Sequence, residues 1–186
     1  MASWEHSAES KASPESIWER YKDVDHWSEW STKGVEESSL DGDFQVGTKG
    51  TSKAPYLPKG KFELIEVEPD EGFTSKAKMP GATLIFEHQL EPIEGGTRIT
   101  HRASLEGPLS PVWRPAIGRI IERGLPTGVE RLAELSVEKE AEAREEEKAD
   151  KEREERLEKA DEQFKEEIEK TSSGEGDMGG ASLPGG

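Results

Sequence analysis

Apolar and polar positions alternate over residues 3–10, where Trp4, His6 and Ala8 share one parity, and this period of two predicts a short strand. Ser13-Pro14-Glu15-Ser16 then reads as a helix start. Ser13 suits the cap, Pro14 the first helical position, and an acid in the first turn favours the helix dipole. Ile17, Trp18 and Tyr21 recur at helical spacing, and Trp27 and Trp30 follow three apart. From Val35 the pattern changes. Leu40-Asp41-Gly42-Asp43-Phe44 holds a turn signal, and strands are predicted over 47–54, 61–68, 72–78, 83–91 and 97–105. Leu84, Phe86, His88 and Leu90 share one face of their strand, as do Ile99, His101, Ala103 and Leu105 of the next. Gly95-Gly96 between them reads as a two-residue hairpin turn.

After Pro108 the period lengthens. Trp113, Ile117, Ile120, Ile121, Leu132 and Leu135 mark an apolar helix face over residues 111–137. Pro126 removes the donor to the Glu122 carbonyl, so a kink or break is expected there. The order is strand, helix, about six strands and a long helix. Strands in a run, closed by one helix, predict an antiparallel α+β domain over residues 1–139.

Residues 138–170 are of another kind, almost all Glu, Lys, Arg, Asp and Ala. Six acid-to-base pairs stand four apart in the favourable direction: Glu140–Arg144, Glu147–Lys151, Glu152–Arg156, Glu155–Lys159, Asp161–Lys165 and Glu166–Lys170. A charged, solvated helix is expected over 140–170. Leu157, Phe164 and Ile168 are too sparse for a coiled-coil seam. Residues 171–186 are rich in Gly and Ser and are expected to be disordered.

Charge narrows the function classes. The net charge is −16, of which −9 falls from Glu138 onward. That balance argues against nucleic acid and anionic membrane surfaces as partners. No apolar run spans a bilayer, residues 1–10 are not expected to be a signal peptide, and there is no cysteine for a disulfide, thiolate metal site or nucleophile. A cytoplasmic location is the expectation. All five tryptophans lie within the first 113 residues, so the core-forming material is upstream.

Two segments carry a family resemblance: Ala12-Ser13-Pro14-Glu15-Ser16-Ile17-Trp18 and Asp25-His26-Trp27-Ser28-Glu29-Trp30. They resemble the opening of the SRPBCC superfamily, START-like and birch-pollen-allergen-like domains, and in particular its polyketide cyclase/dehydrase-like branch. Asp41-Gly42 with Val46-Gly47-Thr48, Ile65-Glu66-Val67-Glu68-Pro69, and Gly95-Gly96-Thr97-Arg98-Ile99-Thr100 resemble later parts of the same fold in the same order. The resemblance covers about residues 3–140. It implies a helix-grip fold, a curved antiparallel sheet around a long C-terminal helix, with the charged helix as an extension. It also implies an internal ligand cavity, but no single activity, because such folds host many.

The candidate site follows from the strand parity. His88 and His101 share the interior face with Leu84, Phe86 and Ile99. A Gly95-Gly96 turn sets them diagonally, and a four-residue loop sets them directly opposite. Imidazoles in an apolar pocket can orient a carbonyl or move a proton, so His88 and His101 are the candidate catalytic groups; equally, they can be satisfied core histidines. Trp27, Trp30, Tyr56, Phe86, Trp113, Ile117 and Ile121 complete the expected ligand-binding set, the tryptophans either as an aromatic wall or as plain core. Gly124 and Gly128 either leave room for a ligand or ease the bend at Pro126. No metal site and no cofactor are expected. The leading reading is binding of a small hydrophobic or aromatic molecule, polyketide- or lipid-like. A cyclase/dehydrase-type enzyme, with Tyr56 as a further polar partner, is the alternative. A protein partner for the charged tail is the third.

Overall fold

The computed structural model describes residues 2–173. Strand β1 (Ala2–Ser10) leads into α1 (Pro14–Lys22) and a 3-10 turn (Val24–Glu29). Six strands follow: β2 (Glu37–Leu40), β3 (Lys49–Lys53), β4 (Gly60–Glu68), β5 (Gly72–Met79), β6 (Ala82–Ile93) and β7 (Gly96–Glu106). They form one antiparallel sheet in the order β1-β7-β6-β5-β4-β3-β2, and the α2 helix (Ser110–Ser173) closes the chain. This is the expected α+β, helix-grip architecture. The chain divides into two compact units, Met1–Ala141 and Glu142–Gly186.

The local signals act as the sequence suggests. Ser13 Oγ accepts from the Ser16 N–H at 3.3 Å, with Pro14 beginning α1. Along β4 the register slips between Leu64 and Glu66, a bulge at Ile65. The extra residue restores Val67 to the face that carries Phe62 and Leu64, which strict alternation would deny it. On the other face of the sheet Arg102 reaches Glu5 and Glu87, and Arg98 reaches Glu9 and Glu91. These exposed pairs add little stability but keep that face solvated.

The core has two parts. In one, Ile17, Trp18 and Tyr21 of α1 and Trp27 and Trp30 meet Leu64, Phe73, Leu90 and Ile99 of the sheet and Val129 and Leu132 of α2. In the other, Ile117, Ile121 and Leu125 of α2 cover Ala103 and Leu105, with Trp4 and Phe86 partly buried against them. Buried hydrogen bonds tie the strands to their surroundings: Ser10 Oγ donates to the Ala133 carbonyl of α2 at 2.8 Å, and Thr97 Oγ1 to the Ala12 carbonyl, just before α1, at 2.9 Å.

The helix departs from expectation at three points. It runs without a break through both Pro115 and Pro126. Apolar residues on either side of Pro126, Ile121 before it and Val129 after it, seat both halves in the core and outweigh the lost backbone bond. Residues 171–173, expected to be disordered, belong to the helix, and the remainder of that expected segment, 174–186, lies outside the described residues. The domain end expected at 139 also falls short of a contact, since the Glu140 carboxylate accepts the Ser13 backbone N–H at 2.9 Å. Of the charged pairs, Glu147 holds Lys151 at 2.6 Å, whereas Arg156 Nε donates to the Glu152 carbonyl instead of its side chain. No helix among the described residues is long and apolar enough to cross a membrane.

Candidate functional site

β6 and β7 pair with His88 directly opposite His101. The hairpin turn is Glu94-Gly95, one residue earlier than the expected Gly95-Gly96, because Ile93 pairs with Gly96. Gly95 has φ 84, a left-handed conformation that glycine adopts without strain. The earlier turn replaces the diagonal arrangement with a facing one. The row then continues across the sheet: Phe73 opposes His88, and His6 of β1 opposes His101. Gly72 makes this approach possible, for a Cβ there would run into the His88 carbonyl.

The two imidazoles touch edge to face, their ring centroids 4.4 Å apart. His88 stacks on Phe73 with centroids 4.0 Å apart and planes 7° from parallel. The Tyr21 hydroxyl lies 2.8 Å from His101 Nε2, sharing a hydrogen bond in a fully buried position. Tyr21 was legible in the sequence only as a helix-face apolar residue. It does not line the cavity but stands behind His101.

Burial sets the charge state of this group. It lowers His88 to about 3, against an opposing contribution from the Phe73 backbone. His101 is held well below the ordinary imidazole value by burial first, then by the proximity of His88 and His6. Burial raises the Tyr21 phenol well above its usual value. At neutral pH all three are uncharged, and they act as hydrogen-bonding groups and not as ions.

A cavity of about 390 Å³ opens beside them, within the roughly 300–1,000 Å³ of small-molecule sites. Trp27 and Trp30, Phe86, His88 and His101, and Trp113, Ile117 and Ile121 all line it. The tryptophans are both wall and core. Trp27 Nε1 donates to the Tyr21 carbonyl at 2.9 Å while its ring stacks near Phe62 and Phe73. Trp113 Nε1 donates to the Pro80 carbonyl at 3.0 Å, tying the start of α2 to the β5–β6 turn. Tyr56 is the correction. It is fully exposed and is not part of this cavity's lining. Leu57 N–H bonds to the Ala54 carbonyl across Pro55-Tyr56, and Tyr56 has φ 64, as at the outer corner of a type II turn. The corner faces solvent, and Leu57 lines the cavity in its place.

Gly124 and Gly128 also line the cavity, for different reasons. A Cβ on Gly124 would come within 3.1 Å of the Gly34 backbone, so glycine there lets the helix meet the loop. At Gly128 a Cβ would make ordinary contact with Ser31 and Trp30. Two polar atoms of lining residues, Trp30 Nε1 and His88 Nδ1, are sealed behind the wall without a well-formed hydrogen bond, His88 lying toward the Phe73 backbone. An unmet buried donor or acceptor costs about 1–3 kcal/mol.

Comparison with known proteins places this geometry. Residues 1–136 match the family model described as polyketide cyclase / dehydrase and lipid transport. A solved protein from Mesorhizobium loti is similar at 19% identity with a TM-score of 0.58, covering 72% of this chain and 96% of its own. Norcoclaurine synthase from Thalictrum flavum, solved with dopamine and hydroxybenzaldehyde, is similar at 17% identity and 0.57, covering 74% and 87%. A protein from Thermus thermophilus is similar at 14% identity and 0.58, covering 73% and 97%. At these identities the likeness is one of fold. No curated protein sequence matches the chain.

Proposed function

The chain belongs to the polyketide cyclase / dehydrase and lipid transport family, and on that premise we propose that its first unit binds a small apolar or aromatic molecule bearing at least one oxygen acceptor. The observation that carries this reading is a largely apolar cavity whose wall includes two buried, facing imidazoles, His88 and His101. A neutral imidazole offers either role. A carbonyl or hydroxyl oxygen on an apolar body would meet the imidazole side of the cavity, while the walls of Trp27, Phe86, Ile117 and Ile121 take the rest.

Native mass spectrometry of the purified protein tests this directly. A co-purified small molecule that leaves on denaturation, and whose formula contains oxygen on a largely hydrocarbon frame, is the expected result. A preference for pure hydrocarbons over their oxygenated counterparts would overturn it.

A cyclase/dehydrase-type enzyme is the second reading, favoured by the short Tyr21–His101 hydrogen bond. Acid–base work at neutral pH calls for a group that titrates near the working pH. His88, lowered to about 3, is a weak base there, which supports binding over proton transfer. Exchange of the α-protons of a bound 1,3-diketone into deuterated water separates the two. Acceleration by the native protein and not by His88→Leu would favour the enzyme.

A further inference from the structure

A neutral imidazole donates through one ring nitrogen and accepts through the other, and its fixed partner decides which is which. For His101 that partner is Tyr21, whose hydroxyl lies 2.8 Å from Nε2. Neither the phenol nor the imidazole has another hydrogen-bond partner among the described residues. Tyr21 is held firmly. Its side chain has no exposure, and its ring meets Trp18, Trp30 and Phe73 edge to face, at centroid distances of 6.3, 6.1 and 5.1 Å. Its backbone carbonyl accepts from Trp27 Nε1. The hydroxyl therefore has no water to turn to.

The direction of this bond follows from basicity. A phenol is an acid of pKa about 10 and an imidazole a base of about 6.5, so the imidazole lone pair accepts far better than the phenol oxygen. Burial keeps the phenol protonated and the imidazole neutral, so both the proton and the lone pair are present. With Nε2 accepting, the ring proton sits on Nδ1. That nitrogen is not one of the sealed ones, Trp30 Nε1 and His88 Nδ1, and its ring borders the cavity. A phenylalanine would fill the same apolar space with no hydroxyl to desolvate, so packing alone does not call for tyrosine here.

We infer that Tyr21 is a positioning residue: it donates to His101 Nε2, fixes the tautomer that carries its proton on Nδ1, and so makes His101 a hydrogen-bond donor toward the cavity that selects a carbonyl oxygen of the ligand. The inference rests on the cavity being the binding site proposed above. Tyr21 does not touch the ligand. It acts through a ring whose other nitrogen it has already occupied.

Nitrogen–proton correlation spectra of histidine-labelled protein at neutral pH, without ligand, report the tautomer of each ring. His101 should show a protonated Nδ1 and a bare Nε2. Tyr21→Phe should release the ring to a mixture of both tautomers. The probes for binding are 1-indanone and indane, alike in shape, of which only the first has a carbonyl. The indole N–H signals of Trp27 and Trp113, which line the cavity, read their binding. Tyr21→Phe should weaken 1-indanone about fivefold, by the share of molecules that leave the donating tautomer, and leave indane within about twofold. A protonated Nε2 in the native protein overturns the inference. So does an unchanged affinity of the variant for 1-indanone, or an equal loss for both probes, which would mark Tyr21 as packing only. If the native spectrum shows the expected tautomer and neither probe binds, the cavity proposal is what has failed, and selection by His101 falls with it. Should Tyr21→Phe lose cooperative unfolding, 3-fluorotyrosine at both tyrosines supplies a more acidic phenol in the same place. The His101 Nε2 signal should then move further toward its hydrogen-bonded position, and an unmoved signal overturns the inference.

Discussion

Two stretches of α2 lie over the same sheet and meet it differently. Around residues 129–136 the helix is closed in: Val129, Leu132 and Ser136 have no exposure at all, and α1 supplies Ile17, Trp18 and Tyr21 to the same cluster. Around residues 113–125 the helix contributes Ile117 and Ile121, 5% and 4% exposed, yet both line an open volume. Exclusion from bulk water is nearly the same in the two stretches. Packing is not. The first has side chains of α1 packed into the same cluster, and the second has none, so the sheet and helix enclose space there.

Core truncation is the sharpest way to break this comparison. Leu132→Ala removes a side chain packed on all sides and should cost about 3–5 kcal/mol, read by chemical denaturation. Ile121→Ala removes one that already borders a void and should cost only about 1–2 kcal/mol. Equal losses would mean that the cavity end is as tightly packed as the other.

Acid comes next. The folded values of His88 and His101 are lowered, so the unfolded chain binds protons first as pH falls. Above about pH 6.5 both states are neutral and stability is unaffected. Between there and the folded value of His88 near 3, stability should fall by roughly 1.4 kcal/mol per pH unit on account of His88, and His101 adds a loss in the same direction. Denaturation midpoints measured from pH 7 to 4 should show this slope, and His88→Leu should flatten part of it. An unchanged slope would mean that His88 does not lie neutral in the core.

The same substitution probes the site. His88→Leu should retain the fold and weaken an oxygen-bearing ligand by about 1–3 kcal/mol, leaving a hydrocarbon of similar shape bound as well or better. Nuclear magnetic resonance titration of the imidazoles would show it: buried rings stay neutral down to low pH and shift on ligand addition. Smaller still is the glycine pair. Gly128→Ala has room and should gain up to about 1 kcal/mol of helix stability while narrowing the cavity. Gly124→Ala should lose that gain against the Gly34 backbone. Least of all should be removal of the charged extension. A chain ending at Ala141, which keeps Glu140 on Ser13, should retain cooperative unfolding and its near-ultraviolet tryptophan signal.

The closed end was easier to read from the sequence than the open one. Parity along β6 and β7 and spacing along α2 report which side chains avoid water, and they correctly gather Phe86, His88, His101, Trp113, Ile117 and Ile121 on interior faces. Periodicity carries no information on whether an interior face meets another side chain or empty space. Register was off by one because two adjacent glycines can each take the turn, and only the partner strand decides between them. Tyr56 misled because a turn corner reverses the direction that neighbouring residues suggest. Tyr21 was overlooked as a polar group because its partner, His101, lies 80 residues away. The break expected at Pro126 weighed one lost hydrogen bond without the apolar contacts that hold the helix on both sides of it.

The pairing of β1 with β7 has a consequence in time. Ala2 lies against Leu105 and Ser10 against Thr97, so during synthesis β1 has no partner until nearly a hundred further residues have followed. At roughly 5–20 residues per second, that interval lasts several seconds or more. Loop closure over such a span delays the reward of sheet formation, which places folding toward the slow side for a domain of this size. The histidine row is completed only when β7 joins β6 and β1, so the site forms at the end of folding, together with the sheet's last edge.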